Sequence, residues 1–226
     1  MMSDLYYPQL KRRDIKEYSK SKDEFYATYN CKTNYHNTLL DCKYRCVYCD
    51  AHIDECGGEP FSLDHFRPTD IFGEKFGGIL KTHPFNLHLS CQKCNVLKTN
   101  DWKGCIDTRD GATYLHKQGY IDRFQVDITD YLEVDRDGQI QCKNSEGPVK
   151  YMIGKLLLNR TNRIYIRKRR AVKDKATRIQ TMLIRKQKEL LLAWKSKQLK
   201  DNEFQKEMEL LMELFDKFER LNLMNI

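Results

Sequence analysis

The sequence has no long apolar run. Its strongest run near the C-terminus, Leu190 to Trp194, is far too short to span a bilayer, and the opening Met-Met-Ser-Asp-Leu-Tyr-Tyr-Pro has no apolar core of the signal-peptide kind. These absences argue against a membrane role and lead us to expect a soluble, cytoplasmic chain. There is no internal repeat and no low-complexity tract. An even set of cysteines is also lacking: nine are present, and four of them fall in two Cys-x2-Cys pairs, which favours metal over a disulfide framework. Acidic residues are scarce in one place. Residues 151–200 carry 16 Lys/Arg against 2 Asp/Glu, a local net of +14, whereas residues 201–226 carry 3 against 7 and residues 1–150 sum to −2. A basic field so placed is an electrostatic footprint for phosphate backbones or an acidic partner surface.

What the chain does have is enough apolar residue, 40% of 226, to bury a core, either as one large domain or as a core with an appendage. Residues 1–40 predict one or two short helices, with Phe25 and Tyr29 at helical spacing. Residues 44–50 are too rich in cysteine for an ordinary strand and read as a metal knuckle. Phe61, Leu63 and His65 alternate with Ser62, Asp64 and Phe66 in a short strand that Pro68 ends, so bringing Asp64 and His65 to one side requires a local bend. Residues 69–84 read as a loop or a weak second strand, and residues 94–100 as a short helix on which Asn95 and Lys98 share a face. Tyr131–Val134 and Gln139–Cys142 flank an Asp-Gly turn and predict a hairpin. The tail predicts two helices. Val172, Ala176, Ile179, Leu183, Leu190 and Trp194 fall near one face of the first; Phe204, Met208, Leu211, Phe215 and Phe218 fall on one face of the second, with Asp201-Asn202 and Gln205 as its start signal. Such a pair is an antiparallel hairpin or a dimerising element.

The chemistry concentrates between residues 44 and 100. Cys46/Cys49 and Cys91/Cys94 are two knuckles whose four thiolates can enclose one zinc and pin the ends of the intervening module; Cys42 and His52 lie close enough in sequence to be alternative ligands. Asp64 and Asn95 offer oxygen donors suited to a hard divalent ion, and His65 offers a general base beside them. Lys98 and Arg67 are each either a phosphate contact or an ordinary solvated cation. His83 and His88 are expected to be structural or surface residues, Cys31, Cys56, Cys105 and Cys142 unpaired, and Trp102 packed under the short helix.

Asp64-His65, Asn86 and Asn95, bracketed by Cys46/Cys49 and Cys91/Cys94, resemble the HNH endonuclease family in its zinc-stapled form. The resemblance covers about residues 44–100. It implies a ββα-metal finger that holds one Mg2+ or Mn2+ ion against the scissile phosphate, with Asp64 and Asn95 as ligands, His65 activating the water, and Asn86 holding the loop that orients His65. The family's last position is often His, and here it is Asn95. A second resemblance rests on the run Lys155-Leu-Leu-Leu-Asn159-Arg-Thr-Asn-Arg-Ile-Tyr-Ile-Arg167-Lys-Arg-Arg170, which is similar to the HNH nucleases of Septu and retron-associated anti-phage systems. It implies an ABC-type ATPase partner docked through the C-terminal helices.

The expected architecture is therefore α+β: an N-terminal helical segment (1–40), a zinc-stapled HNH core with a β-hairpin (41–150), and a basic C-terminal helical region (151–226). The expected function is hydrolysis of phosphodiester bonds in nucleic acid, DNA first, with structural Zn2+ and catalytic Mg2+ or Mn2+. Its alternatives are a non-catalytic zinc module that binds nucleic acid or a partner, and an RNA-cleaving nuclease of the same family. Homodimerisation through the tail is compatible with the same helical register.

Overall fold

Phe61–His65 forms β1 and Leu87–Cys91 forms β2, paired antiparallel from Phe61 opposite Cys91 to His65 opposite Leu87. Leu87 and Leu89 are wholly buried, and Phe61 and Leu63 nearly so; that burial fixes the register, because a slip of one residue would turn every side chain over. Helix α3 (Gln92–Lys98) starts directly from the end of β2. The computed structural model describes residues 5–21, 26–27 and 31–223. The chain is a mixed α/β protein with small two-stranded sheets, and it divides into two compact units, Met1–Lys168 and Arg169–Ile226. Among the described residues, no helix is long and apolar enough to cross a membrane.

In the first unit, α1 (Lys32–Asp41) packs beside the hairpin, with Tyr35 Oη donating to Phe61 O at 3.2 Å. A 3-10 turn, Ile15–Glu17, precedes it; Phe25 and Tyr29 lie outside the described residues. The core joins Tyr7, Leu10, Cys42, Tyr48, Leu87, Leu89, Tyr120 and Leu158, so the N-terminal segment and the end of the unit share one interior.

Residues 69–84 differ from the expected loop or strand. Pro68 sets the backbone for a short helix, α2 (Thr69–Phe72), and a 3-10 stretch follows over Lys75–Lys81, with Gly77 and Gly78 at φ of 69° and 76° supplying the left-handed bend. A two-stranded miniature, β3 (Tyr114–Leu115) with β4 (Gln118–Gly119), comes next. The Asp-Gly hairpin forms as β5 (Leu132–Val134) and β6 (Ile140–Cys142), and Asp135 Oδ1 accepts from both Asp137 N and Gln139 N. Helix α4 (Val149–Lys155) then leads to α5 (Thr161–Lys195).

The second unit comprises the rest of α5 and α6 (Asp201–Leu223). These helices form a hairpin: Trp194 stacks on Phe204 with ring centroids 4.9 Å apart, and its Nε1 donates to Asp201 Oδ1 at 2.7 Å. The expected start signal shifts. Because Asp201 bonds Trp194, the reciprocal contact of the first turn comes from Glu203, whose Oε2 accepts from Lys200 N at 3.2 Å, while Gln205 bonds Glu209. Leu190 and Leu211 are buried, whereas Val172 and Ile179 from the expected stripe stay about half exposed, since two helices alone have too little surface to cover them.

Candidate metal centre and adjoining cleft

The first knuckle is built by local backbone bonds. Cys46 N donates to Ala51 O and Asp50 N to Cys46 O, each at 2.9 Å, closing a tight turn in which Asp50 takes a positive φ of 62°. Val47 N donates to Leu89 O at 2.9 Å and docks the turn onto β2. The second knuckle needs no loop of its own, because Cys91 ends β2 and Cys94 lies in the first turn of α3.

This geometry brings Cys46, Cys49, Cys91 and Cys94 together, all buried, with their sulfurs within 4.8 Å of one another and Cys49 Sγ 3.7 Å from Cys91 Sγ. A tetrahedral zinc with Zn–S of about 2.3 Å sets neighbouring sulfurs about 3.8 Å apart, so four thiolates at this spacing fit a structural metal such as zinc. Cys42 and His52 stand outside the group. Cys42 is buried in the core, and the His52 ring accepts from Asp54 N as a helix cap.

Two arginines from the far end of the unit complete the centre. Arg163 Nε donates to Cys49 Sγ at 3.3 Å and its Nη2 to Cys91 Sγ at 3.1 Å, while Arg160 Nη2 lies 3.6 Å from both Cys91 Sγ and Cys94 Sγ. Glu59 holds the outer side of Arg163 at 2.6 Å. Burial works against the Arg163 charge, yet the Cys49 sulfur, Glu59 and Cys91 keep its pKa above the ordinary guanidinium range. A zinc with four thiolates carries a formal charge of −2, which two guanidinium groups offset. These residues fall in the basic 151–200 run, and part of its charge is turned inward. Arg163 and Arg167 are buried, with Arg167 donating to Gly138 O at 2.6 Å and to Leu158 O at 2.9 Å. No spacing in the sequence announces the pairing, because its partners lie 66 to 114 residues away.

Beside this centre, Asp64, His65 and Asn95 line one cleft of about 520 Å³ with Pro68, Thr69 and Asn100. Asp64 and His65 are strand neighbours, yet both reach the cleft because β1 ends at His65. His65 Nε2 lies 2.9 Å from Lys81 O. A carbonyl only accepts, so Nε2 carries the proton and Nδ1 is the basic nitrogen. Asn95 Nδ2 donates to Ser62 Oγ at 3.1 Å, which leaves its Oδ1 as the acceptor end of the amide.

Asn86 is buried beneath the cleft and lines none of it. Its Oδ1 accepts from Arg67 N at 2.9 Å, and its Nδ2 donates to Arg67 O at 3.1 Å and Leu80 O at 2.8 Å. One amide thus ties both ends of the 67–80 segment, next to the carbonyl that holds His65.

Lys98 and Arg67 take neither of their expected places at a phosphate or in solvent. Lys98 has no exposed surface; its Nζ lies 3.2 Å from Asp64 Oδ1, 3.0 Å from Asp64 Oδ2 and 2.9 Å from His65 O. Tyr48, from within the first knuckle, donates its hydroxyl to Asp64 Oδ2. Burial holds the Asp64 carboxyl above its usual pKa, and Lys98 and Tyr48 offset only part of that rise. Arg67 is buried over Trp102 and donates to Gly111 O at 2.6 Å. Trp102 packs edge-on against Phe66 and Phe72.

No family model, no curated protein and no solved structure matches this chain.

Proposed function

We propose that this chain is an endonuclease of the HNH type, with β1, β2 and α3 as its ββα-metal core and one zinc as the staple. The observation that carries the reading is the convergence of Asp64, His65 and Asn95 on a single cleft beside four clustered cysteines.

The donor set fits a hard divalent ion. A carboxylate offers about four acceptor positions, and Tyr48 and Lys98 engage three of those on Asp64, leaving one on Oδ1. That oxygen and Asn95 Oδ1 would be the two protein donors for Mg2+ or Mn2+, with the rest of the coordination shell left to water and phosphate. When bound, the ion offsets the charge that builds on the phosphoryl oxygens. His65 Nδ1 takes the proton of the attacking water while Lys81 O holds the opposite edge of the ring. Asn86 keeps the segment that carries Lys81 in place.

Nucleic acid, DNA first, is the proposed substrate. Lys173, Lys175, Arg178, Arg185, Lys186 and Lys188 are exposed on α5 and supply the phosphate-attracting charge that the buried arginines do not. The resemblance to anti-phage HNH nucleases adds an ABC-type ATPase as the partner of the helical hairpin, a reading supported by exposed Met182, Leu192, Leu210 and Leu214.

The test is His65→Ala. Mg2+-dependent nicking of plasmid DNA is expected to fall by at least about a hundredfold, with zinc content and melting temperature unchanged. Retained cutting sinks the assignment, and parallel labelled RNA shows whether DNA is the wrong polymer. One observation favours a non-catalytic zinc module instead: Lys98 already balances the Asp64 charge. On that reading, Asp64→Ala leaves nucleic-acid binding unchanged and no divalent-dependent turnover exists to lose.

A further inference from the structure

A buried ammonium rests on the carboxylate assigned to the catalytic ion. Lys98 Nζ spans both oxygens of Asp64 and is held from behind by His65 O, so it cannot withdraw without losing three contacts. Tyr120 lies over it, with Nζ 5.9 Å from the ring centroid, and no part of the side chain reaches solvent. Tyr48 fixes the far oxygen of Asp64 from the side of the cysteine cluster. One carboxylate therefore serves a resident cation and, on the nuclease reading, a divalent ion as well.

We propose that Lys98 is a positioning residue that acts as a permanent counter-cation on Asp64, restricting Asp64 to a single-oxygen ligand and keeping the site's affinity for free divalent ion low. This inference rests on the nuclease reading above. Its physical basis is the strength of charge interactions away from water, where a unit charge within a few ångströms of a second cation opposes its binding far more than it does in bulk solvent. Asp64 brings −1 and Lys98 brings +1, so the pair is neutral before an ion arrives, and Asn95 adds none. A divalent ion then leaves the site at +2, an excess that a phosphodiester lowers to +1 with its own negative charge. Such a site is completed by the substrate and not by the ion alone.

A purely structural Lys98 predicts the opposite sign from a counter-cation. Removing a structural support disorders Asp64 and weakens ion binding; removing a counter-charge strengthens it. The experiment is a Mn2+ titration of the full-length, zinc-loaded protein, followed by the electron paramagnetic resonance signal of free Mn2+ at one fixed pH. Lys98→Met is expected to bind Mn2+ roughly tenfold or more tightly than wild type, and Asp64→Asn in the same background is expected to abolish the gain. Should Lys98→Met lose its zinc or its melting transition, Lys98→Gln, which keeps a hydrogen-bond donor for Asp64 without the charge, carries the test. Tyr48→Phe keeps the ammonium and is expected to stay within about threefold of wild type. Equal or weaker Mn2+ binding by the folded Lys98 variants overturns the inference while leaving the nuclease reading standing. Absence of Asp64-dependent Mn2+ binding in wild type and variants alike removes the nuclease reading and this inference together.

Discussion

Arg163 and Cys49 are joined by a 3.3 Å contact from Nε to Sγ across 114 residues of sequence. It links the first turns of α5 to the earlier cysteine knuckle, and Arg163 Nη2 continues the link to Cys91 and Glu59. The cysteine cluster is therefore a junction of three chain segments.

Removing that cation is expected to loosen the metal. Arg163→Met leaves four sulfurs without their main buried counter-charge, and we expect a loss of about 3 kcal/mol in urea unfolding of the zinc-loaded protein. Zinc release to a chromogenic chelator should be faster than in wild type. An unchanged release rate would show that the guanidinium has no hold on the centre.

Metal removal should act on folding as well. Because a site of this kind is absent from the unfolded chain, its binding free energy is part of the folding free energy. Freshly reduced protein is expected to contain one zinc per chain, and Cys46→Ser or prolonged chelation should lower the melting temperature of the first unit. Metal analysis that finds no zinc in reduced protein would refute the assignment.

Asn86 holds Leu80 O, next to the Lys81 carbonyl that His65 Nε2 contacts. Asn86→Ala removes three hydrogen bonds and leaves Arg67 N, Arg67 O and Leu80 O to find other partners, at about 1–3 kcal/mol for each group left buried and unpaired. On the nuclease reading proposed above, we expect cleavage to be lost with zinc retained. Full activity in a folded variant would separate the 67–80 segment from the chemistry.

His88 gives the fold a pH dependence. It is 1% exposed, stacked on Phe66 at 4.5 Å, and burial drives its pKa well below the ordinary imidazole value of 6.5. Asp122 Oδ1 comes within 3.9 Å of His88 Nε2, and burial disfavours the charged form of each. Below pH 6.5 the unfolded chain takes up a proton at this residue that the folded chain refuses. The stability it contributes is present above that pH and is lost as pH falls, by about 1.4 kcal/mol per pH unit at most. Urea midpoints between pH 7.5 and 5 should show this slope in wild type and a shallower one in His88→Leu.

The hairpin of the second unit depends on its turn. Trp194→Ala removes the stack on Phe204 and the bond to Asp201, and we expect faster amide exchange in α6, with the first unit unaffected. Equal protection of α6 in wild type and variant would place the stability of the hairpin elsewhere.

Legibility in the sequence followed the range of the interaction. Cys-x2-Cys spacing is a local signal, since each knuckle is closed by backbone bonds within a few residues, and the four sulfurs converge accordingly. The Asp-Gly hairpin and the two long helices are also local, and each forms where its signal lies. The segment from 69 to 84 was less legible because glycine and proline mark a bend without saying whether the chain on either side is helical or extended. The start of α6 moved because a tryptophan seven residues earlier took the aspartate as its partner.

By itself, the sequence determined the ligand types, the pairing of the cysteines into knuckles, the order of elements and the presence of an Asp-His pair with two asparagines beyond it. Only the tertiary structure decided that Cys42 and His52 stay outside the sulfur cluster, that Arg160 and Arg163 turn inward to it, and that Lys98 lies on Asp64 instead of in solvent. The physical reason is that burying a charge is costly unless an opposite charge meets it. Whether a lysine or arginine faces water or the interior therefore depends on a partner brought near by folding, which neighbouring residues cannot specify.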